Sequence, residues 1–185
     1  MKKLFSDKEI EYTGEQLQSR WIEKQFRLKG DAAVAFVGGC NVAREWMVDL
    51  EDLAAGNEIR GDRMLHFIVE HFDADIGRAA LRQRVLVCVA AELLNEMGGG
   101  KEVKRRGDDL FVGEGKLSIS IATASPASGL IHFGVNITKS GVPVEAASLE
   151  DLGVDAAAFA DRLLESYARE MDEIEKATKK VRAVK

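Results

Sequence analysis

The chain has 185 residues, of which 46% are apolar and 31% are charged, and its formal net charge at pH 7 is -5. This composition is typical of soluble globular proteins, the length predicts one domain over residues 1–185, and the negative charge argues against a nucleic-acid partner. The apolar runs are too short for a membrane span or a secretory signal, which predicts a cytoplasmic protein with no membrane partner. Cys40 and Cys88 are far apart in sequence and are predicted to be reduced thiols.

The first 72 residues are predicted to form one helix and three strands. Residues 14–26 carry apolar side chains near helical spacing, which predicts an amphipathic helix that ends before Gly30. Residues 32–39 form an apolar run stopped by two glycines, as expected for a buried strand. Residues 44–56 fit a strand or a short helix, and a strand is preferred. Residues 63–72 are rich in Phe, Ile and Val, which favours a strand.

A long helix is predicted from about Asp75 to Met97. Its apolar stripe recurs every four residues, while Arg78, Arg82 and Gln83 lie off the stripe, which consists of Leu81, Val85, Val89 and Leu93. Three glycines at 98–100 are expected to end the helix. The basic residues at 101–106 that follow are predicted to form a charged edge strand, which discourages pairing with another chain.

An antiparallel meander is predicted over residues 108–138, with glycine-containing turns between its strands. In two of the strands apolar and polar residues alternate, so the polar residues of each strand share one face. These rows are Lys116, Ser118 and Ser120 in one strand and His132, Gly134 and Asn136 in the other. If the strands are neighbours, the rows form one surface that could be the floor of a ligand site. The alternative is a sheet face exposed to water, with function carried by an oligomeric surface.

Three short motifs resemble the catalytic domain of the biotin and lipoate protein ligases and their octanoyl-transferring relatives. In that superfamily a Gly-x-Lys opens a strand, a Gly-x-Asn strand follows, and Ala-Thr/Ser-Leu leads into a helix; the matching residues here are Gly115, Lys116, Gly134, Asn136, Ala147, Ser148 and Leu149. Over most of its length the chain more closely resembles a small family of uncharacterised proteins, a domain of unknown function related by fold to those ligases. The resemblance implies an α/β (α+β) fold with a central antiparallel or mixed sheet flanked by helices.

The same resemblance implies a role for Lys116, since the lysine of this motif binds the carbonyl of the activated acyl group in the ligases. His132 is the nearby residue suited to proton transfer, and these two are the predicted catalytic residues. The residues predicted to bind ligand are Gly115, Ser118, Ser120, Gly134, Asn136, Arg60 and His66. The predicted function is ligase-like or acyltransferase-like, with a small carboxylic acid or acyl group as partner. The alternative is a non-catalytic module that binds a small ligand on the same fold.

Two features of the ligases are missing from this sequence. Their phosphate-binding loop, rich in Gly and Arg, precedes the long helix, where this chain has only Gly61 between Arg60 and Arg63. ATP and magnesium are therefore considered as cofactors, but the missing phosphate-binding loop argues against them. Octanoyl transfer uses a cysteine nucleophile, and Cys40 would have to converge on the site to supply one.

No metal site is predicted. His66, Glu70, His71 and His132 could supply ligands to zinc or another divalent ion, but their spacing fits no standard signature. On a strand, His66 and Glu70 would share one face and His71 would take the other. Polar positions at the margin of the sheet are the preferred interpretation.

A C-terminal helix is predicted over about 155–182, with Asp155 as its N-cap and frayed residues at its end. Its apolar stripe consists of Phe159, Leu163, Tyr167, Met171 and Ile174, and its acidic residues precede its lysines, as the helix dipole favours. The helix is expected to pack on the domain. Pairing with a second copy in a homo-oligomer is the alternative role for its exposed length.

Overall fold

A five-stranded mixed sheet lies at the centre of the fold. The computed structural model describes residues 1–184. In chain order the strands are β1 (Lys2–Phe5), β2 (Ala32–Asn41), β3 (Arg60–His71), β4 (Val103–Arg106), β5 (Asp109–Val112), β6 (Gly115–Lys116), β7 (Ser118–Ala124) and β8 (Gly129–Asn136). The helices are α1 (Trp21–Phe26), a 3-10 turn (Arg44–Trp46), α2 (Leu50–Ala55), α3 (Ile76–Met97), α4 (Leu149–Leu152) and α5 (Ala156–Lys179).

The central sheet has the strand order β1-β2-β3-β8-β7. β1 is parallel to β2, and every other neighbouring pair is antiparallel. The predicted mixed sheet flanked by helices is therefore confirmed. No strand is predicted over the first residues, although β1 forms one edge of the sheet and extends it beside β2.

The two faces of the central sheet have different partners. One face packs against α3 and α5 and forms the larger core, to which β3 and β8 contribute Leu65, Phe67, Val69, Ile131, Phe133 and Val135. The other face carries a smaller cluster that includes Tyr12, Phe36, Met64 and Ile68. Residues 42–59 and the segment before α1 cover this second face instead of long helices. The candidate site lies there.

A small sheet of order β4-β5-β6 lies beside the end of α3 and next to β7. The predicted charged strand at 101–106 corresponds to β4, which is an edge of this sheet and has three exposed residues, Lys104, Arg105 and Arg106. The fourth residue, Val103, is buried, and both its N–H and its C=O bond to the side chain of Asn95 on α3. β4 is thus fastened at one end and charged along the remainder.

The prediction of a strand over residues 44–56 is wrong. This segment forms the 3-10 turn followed by α2. Asp49 caps α2 by accepting hydrogen bonds from the backbone N–H groups of Glu51 and Asp52, and Gly56 ends the helix with a φ of 69°. The segment alternates apolar and acidic residues, as a strand would, but the capping residues Asp49 and Gly56 stabilise a short helix instead.

The helix predicted at 75–97 is confirmed as α3, with Asp75 as its N-cap and Gly98 after its last residue. Its buried face is rotated from the predicted stripe. Leu81 is 68% exposed, whereas Gln83, predicted to lie off the stripe, is buried. The buried residues are Ala79, Gln83, Leu86, Val87, Ala90, Leu93 and Leu94.

The C-terminal helix is confirmed as α5, and the side chain of its N-cap Asp155 accepts a hydrogen bond from Ala158 N–H. Phe159, Leu163 and Tyr167 are buried against the sheet and α3, while Ile174 is 41% exposed. The helix therefore packs on the domain through its first three turns. None of the helices in residues 1–184 is long and apolar enough to cross a membrane.

Candidate functional site

A cleft of about 220 Å³ lies between the second face of the sheet and residues 42–59. Its floor is formed by β7 and β8, and one wall is formed by the 3-10 turn and the start of α2. Half of the residues that line it are apolar: Leu17, Val42, Trp46, Met47, Val48, Ile59, Ile119 and Ile121. Its polar lining consists of Tyr12, Asp49, Asp52, Asp108, Asp109, Lys116, Ser120 and His132. A concave cleft with apolar surfaces and polar groups that converge on it is typical of a small-molecule site.

The strand register places isoleucines, and not serines, on the cleft floor. Ile119 lies opposite Gly134 and Ile121 lies opposite His132, and directly opposed residues of an antiparallel pair share a face. Ser118 and Ser120 lie opposite Val135 and Phe133, which face the helices. The prediction that the polar side chains of both strands form one surface is therefore wrong.

The two serines bond to neighbours on the helix side of the sheet. Ser118 is buried, and its hydroxyl accepts a hydrogen bond of 2.9 Å from Leu110 N–H. The Ser120 hydroxyl donates to the Asp108 carbonyl and accepts a hydrogen bond of 2.7 Å from the Gln83 amide. Ser120 reaches the edge of the cleft with its hydroxyl already engaged, and Ser118 does not line the cleft.

Lys116 is placed at the side of the cleft by an ion pair and by backbone contacts. Its ammonium lies 2.7 Å from the Asp109 carboxylate, and the two side chains are 32% and 24% exposed. The Lys116 N–H donates to the Glu145 carbonyl, and its C=O accepts from Ala147 N–H. The ammonium has three donors and Asp109 occupies one, so the others are available to a ligand.

Burial raises the pKa of Asp109 above its ordinary value, against the opposing effect of the Lys116 ammonium. The negative charges of Asp108 and Asp52 raise it further. Asp52 and Asp49 belong to α2, so the opposite wall of the cleft is acidic as well. Apart from Lys116, the charged groups that line the cleft are carboxylates.

His132 is buried on the cleft floor, and Tyr12 stacks on it with a centroid distance of 3.6 Å and an interplanar angle of 9°. Nε2 of His132 lies 3.0 Å from Nδ1 of His66, which is fully buried behind it. Burial lowers the pKa of His66 to about 4, and burial together with the neighbouring His66 lowers the pKa of His132 well below its ordinary value. Both imidazoles are therefore neutral at pH 7.

The predicted binding residues Gly115, Gly134 and Asn136 occupy tight positions around these groups. A Cβ at Gly115 would lie 3.0 Å from backbone atoms of Ala146 and Ala147, and a Cβ at Gly134 would lie 3.2 Å from Cε1 of His132. The buried amide of Asn136 donates to the carbonyls of Lys116 and Ala147. These residues fix Lys116 and His132 in place. Asn136 lines a cavity of about 260 Å³ that it shares with Lys116 and Ile119.

A family model described as "Domain of unknown function (DUF366)" matches residues 1–182. The chain belongs to the DUF366 family. An uncharacterized protein of Methanocaldococcus jannaschii is 35% identical to the DUF366 chain over 184 residues, which are 96% of this chain and 82% of the relative. A solved structure titled "Protein of Unknown Function from Pyrococcus horikoshi" is 42% identical, with a TM-score of 0.95 over 100% of this chain and 99% of that one.

Biotin and lipoate ligases share the fold of the DUF366 chain at low sequence identity. A biotin protein ligase mutant from Aquifex aeolicus in complex with biotin has a TM-score of 0.63 and 16% identity, covering 95% of this chain and 72% of that chain. A putative lipoate protein ligase from T. acidophilum with bound lipoic acid has a TM-score of 0.57 and 15% identity, covering 92% and 86%. The predicted relationship in fold to this superfamily is therefore confirmed.

The segment of the DUF366 chain at the place of the ligases' phosphate loop is a regular strand. Gly61 pairs with Cys40 in the ladder of β2 and β3, and Asp62 N–H donates to the Ser140 carbonyl. The Arg60 side chain is 55% exposed and pairs with Glu58. These backbone donors are engaged in the sheet, so the segment does not fit an adenylate phosphate in the way that the resemblance implies.

Cys40 of the DUF366 chain is close to the site but is not suited to act as a nucleophile. It pairs with Tyr12 through a backbone bridge and is 3% exposed. Burial raises the pKa of its thiol to about 12. The thiolate form, which is the nucleophile, is therefore scarce at neutral pH.

Of the four residues weighed as metal ligands, His66 and His132 lie together, whereas Glu70 and His71 lie elsewhere. His66 and Glu70 share the cleft-side face of β3, and His71 lies on the other face, between Asp31 and the Tyr167 hydroxyl. The Glu70 carboxylate accepts hydrogen bonds from Ser19, Ser128 and Arg20 N–H at the far end of the strand. Within residues 1–184, no group of three His, Cys, Asp or Glu side chains is suited to hold a metal ion.

Several residues of the cleft were missed from the sequence. Tyr12 lies in a segment with no assigned element, and Trp46 and Met47 belong to the segment predicted as a strand. Asp109 is predicted only as part of the first strand of the meander. Asp49 followed by Glu51, Asp52 and Gly56 was the signal for α2 that could have placed the wall, since it is a helix N-cap pattern closed by a glycine.

Proposed function

We propose that this protein binds a small carboxylic acid or acyl group in the cleft beside Lys116 and uses it in ligase-like or acyltransferase-like chemistry. The single observation that carries the proposal is the Lys116 ammonium, oriented by Asp109 at 2.7 Å and located at the side of a cleft that also has apolar side chains on its floor and walls. The relationship in fold to the ligases supports the same class of ligand.

Different residues of the cleft suit the hydrocarbon part, the oxygen atoms and the acceptor amine of such a reaction. Ile119, Ile121 and Met47 supply apolar contact for a hydrocarbon chain or ring. The free donors of Lys116 suit the carbonyl or carboxylate oxygen. The acidic wall at Asp49 and Asp52 suits a neutral or positively charged group, such as the amine of an acyl acceptor.

Lys116 and His132 can share the work of acyl transfer from an activated acyl group such as a thioester. When an acceptor amine forms a bond to the acyl carbon, negative charge develops on the carbonyl oxygen, and the partly buried ammonium stabilises it. His132 is neutral and accepts the proton that the amine loses. The carbonyl then re-forms, the bond to the leaving group breaks with its electron pair, and the leaving group takes the proton from His132, which becomes neutral again.

Non-catalytic binding is the second candidate function. The observation that favours it is the ladder pairing of Gly61, because the segment before α3 is then a strand and not a glycine loop that could hold a nucleotide phosphate. In this alternative the cleft retains its ligand without an activation step. Exchange of pyrophosphate into ATP that depends on a carboxylic acid would contradict it.

Thermal unfolding of the wild type and of two lysine variants tests the ligand proposal. The ligands are biotin, lipoate, hexanoate, octanoate, and acyl-sulfamoyl mimics of an acyl adenylate. A ligand at 100 times its Kd stabilises the folded state by about 2.7 kcal/mol, and a domain of this size gains roughly 2–4 °C per kcal/mol. We expect a shift that Lys116→Met abolishes and that Lys104→Met, a change on the exposed strand β4, leaves intact.

The outcomes of this experiment separate the candidates. A shift in the wild type that persists in Lys116→Met would place the ligand elsewhere and contradict the role of Lys116. No shift with any of these compounds would overturn the acyl-binding proposal. A shift without turnover in exchange or acyl-transfer assays would favour the non-catalytic candidate.

A further inference from the structure

His66 and His132 form a buried pair of neutral imidazoles. Only one placement of their protons gives the ring nitrogens favourable hydrogen-bonding partners. Their Nδ1 and Nε2 atoms are 3.0 Å apart, so one of them donates a proton to the other. The two rings are 0% and 2% exposed and lie between Phe36 and Tyr12. Water has little access to this pair, so the surrounding protein decides which nitrogen carries the proton.

Two arrangements are possible: either Nδ1 of His66 or Nε2 of His132 carries the proton between them, and the second ring nitrogen of His66 decides which. Nε2 of His66 is fully buried and has no hydrogen-bond partner among residues 1–184. On the side of β2, the backbone of Gly38 and Gly39 favours a protonated His66 ring, which is the effect of carbonyl oxygens and not of N–H groups. A lone pair on Nε2 would be repelled by these oxygens, whereas an N–H is attracted to them. Nε2 therefore carries the proton of His66, and its Nδ1 is an acceptor.

The orientation of His132 follows from this choice. Because Nδ1 of His66 accepts, Nε2 of His132 carries a proton and donates it in the 3.0 Å hydrogen bond. Nδ1 of His132 then has a lone pair. This Nδ1 forms no hydrogen bond within the described part of the chain, and it is not one of the fully buried polar atoms that lack a partner. It is therefore accessible from the cleft that His132 lines.

We infer that His66 is a positioning residue that holds His132 as its Nε2–H tautomer, so that Nδ1 of His132 faces the cleft as a hydrogen-bond acceptor. The sequence suggested that His66 binds ligand directly, but its burial behind His132 gives it this indirect role. Resting on the proposed function, the same arrangement favours acyl ligands that present an N–H or O–H group to Nδ1. It also leaves Nδ1 free to accept a proton from an attacking amine.

Long-range nitrogen–proton NMR spectra of ¹⁵N-labelled protein at pH 7 test the tautomer directly. The chain has three histidines, so the spectrum is simple to assign. His71 is an internal comparison, because its Nδ1 faces the Asp31 carboxylate at 2.9 Å and is expected to carry a proton. We expect His66 and His132 to show protonated Nε2 and bare Nδ1. A proton on Nδ1 of His132, or an imidazolium at either position, would overturn the inference.

Two variants of His66 separate positioning from packing. His66→Asn retains an oxygen acceptor near the position of Nδ1, so His132 is expected to keep its Nε2–H tautomer. His66→Leu fills the space without an acceptor, so the Nδ1–H form of His132 is expected to become populated. An unchanged tautomer in a folded His66→Leu variant would overturn the inference. If that variant does not fold, the wild-type spectrum still decides.

The ligand consequence is tested with hexanoate and its five monohydroxy isomers in thermal unfolding. We expect at least one isomer to stabilise the wild type more than hexanoate does, and we expect His132→Phe to remove the difference. If no isomer exceeds hexanoate, the acceptor role toward the ligand is overturned while acyl binding stands. If neither hexanoate nor any isomer stabilises the protein, the proposed function and this consequence both fail, and the tautomer is judged by the NMR spectrum alone.

Discussion

The Lys116 ammonium and the Asp109 carboxylate form an ion pair of 2.7 Å at the side of the cleft, with less than one third of either side chain exposed. The pair fixes the direction of the ammonium but does not fully compensate the burial of the carboxylate. The pKa of Asp109 is raised above its ordinary value, chiefly by burial. Asp109 therefore holds Lys116 in place at a cost in stability, as is common where groups are arranged for function.

Replacement of Asp109 by Asn is expected to change how stability depends on pH. Because the pKa of Asp109 is raised in the folded state, the folded state binds this proton more tightly than the unfolded state does. The ionised carboxylate therefore costs stability once the pH exceeds the ordinary value of 3.8, and this cost is absent at lower pH. The free energy of unfolding of Asp109→Asn relative to the wild type should rise between about pH 3 and pH 6.

Urea unfolding across this pH range measures the effect of Asp109→Asn. Asp161→Asn on the exposed side of α5 provides the matched control for removal of one carboxylate. A relative stability of Asp109→Asn that falls as the pH rises would contradict the assignment. Ligand-induced stabilisation should weaken less in this variant than in Lys116→Met, since the ammonium remains.

Two leucines on α3 test which face of that helix is buried. Leu86 is 1% exposed, so Leu86→Ala is expected to lower the free energy of unfolding by about 2–5 kcal/mol. Leu81 is 68% exposed, so Leu81→Ala should change it by less than about 0.5 kcal/mol. Chemical denaturation of the two variants measures both values. A larger loss for Leu81→Ala than for Leu86→Ala would show that the helix packs with the face predicted from its four-residue repeat.

The Cys40 thiol is expected to resist alkylation in the folded protein. With a pKa of about 12 its thiolate fraction at pH 8 is about 10³-fold below that of an ordinary thiol, and burial adds a barrier to the reagent. Mass spectrometry of a Cys88→Ala variant treated with iodoacetamide should show no label on Cys40 until urea unfolds the chain.

A Cys40→Ala variant tests whether Cys40 takes part in covalent acyl transfer. Cys40→Ala is expected to keep the ligand-induced thermal shift and any transfer activity, because the thiol bonds weakly to the Ile59 carbonyl and does not line the cleft. Rapid labelling of native Cys40, or loss of activity in a folded Cys40→Ala variant, would instead support a cysteine nucleophile.

Trp46 is expected to report ligand binding by fluorescence. It lies in the 3-10 turn, lines the cleft and is 37% exposed, whereas Trp21 packs against Phe26 and Phe36 away from the cleft. A ligand that enters the cleft should change the emission of the Trp21→Phe variant and leave that of Trp46→Phe almost unchanged. The reverse result would place the ligand near α1.

The sequence by itself determined the elements whose signals are local. Alternation and β-branched residues identified β3, β7 and β8, and N-caps at Asp75 and Asp155 marked the starts of α3 and α5. The Gly-x-Lys and Gly-x-Asn motifs led to the correct superfamily fold and to Lys116 at a cleft. These inferences hold because capping and alternation depend on residues close together in the chain.

Only the tertiary structure decided which face of each strand forms the site. Alternation divides β7 into a serine row and an isoleucine row, but the pairing of Ser120 with Phe133 and of Ile121 with His132 assigns the rows to the two sides. The helix side can accept the serines because Gln83, Asp108 and Leu110 N–H provide hydrogen bonds. The contacts of Tyr12 with His132 and of His132 with His66 likewise join distant segments, and the energy of such contacts depends on packing that no local pattern encodes.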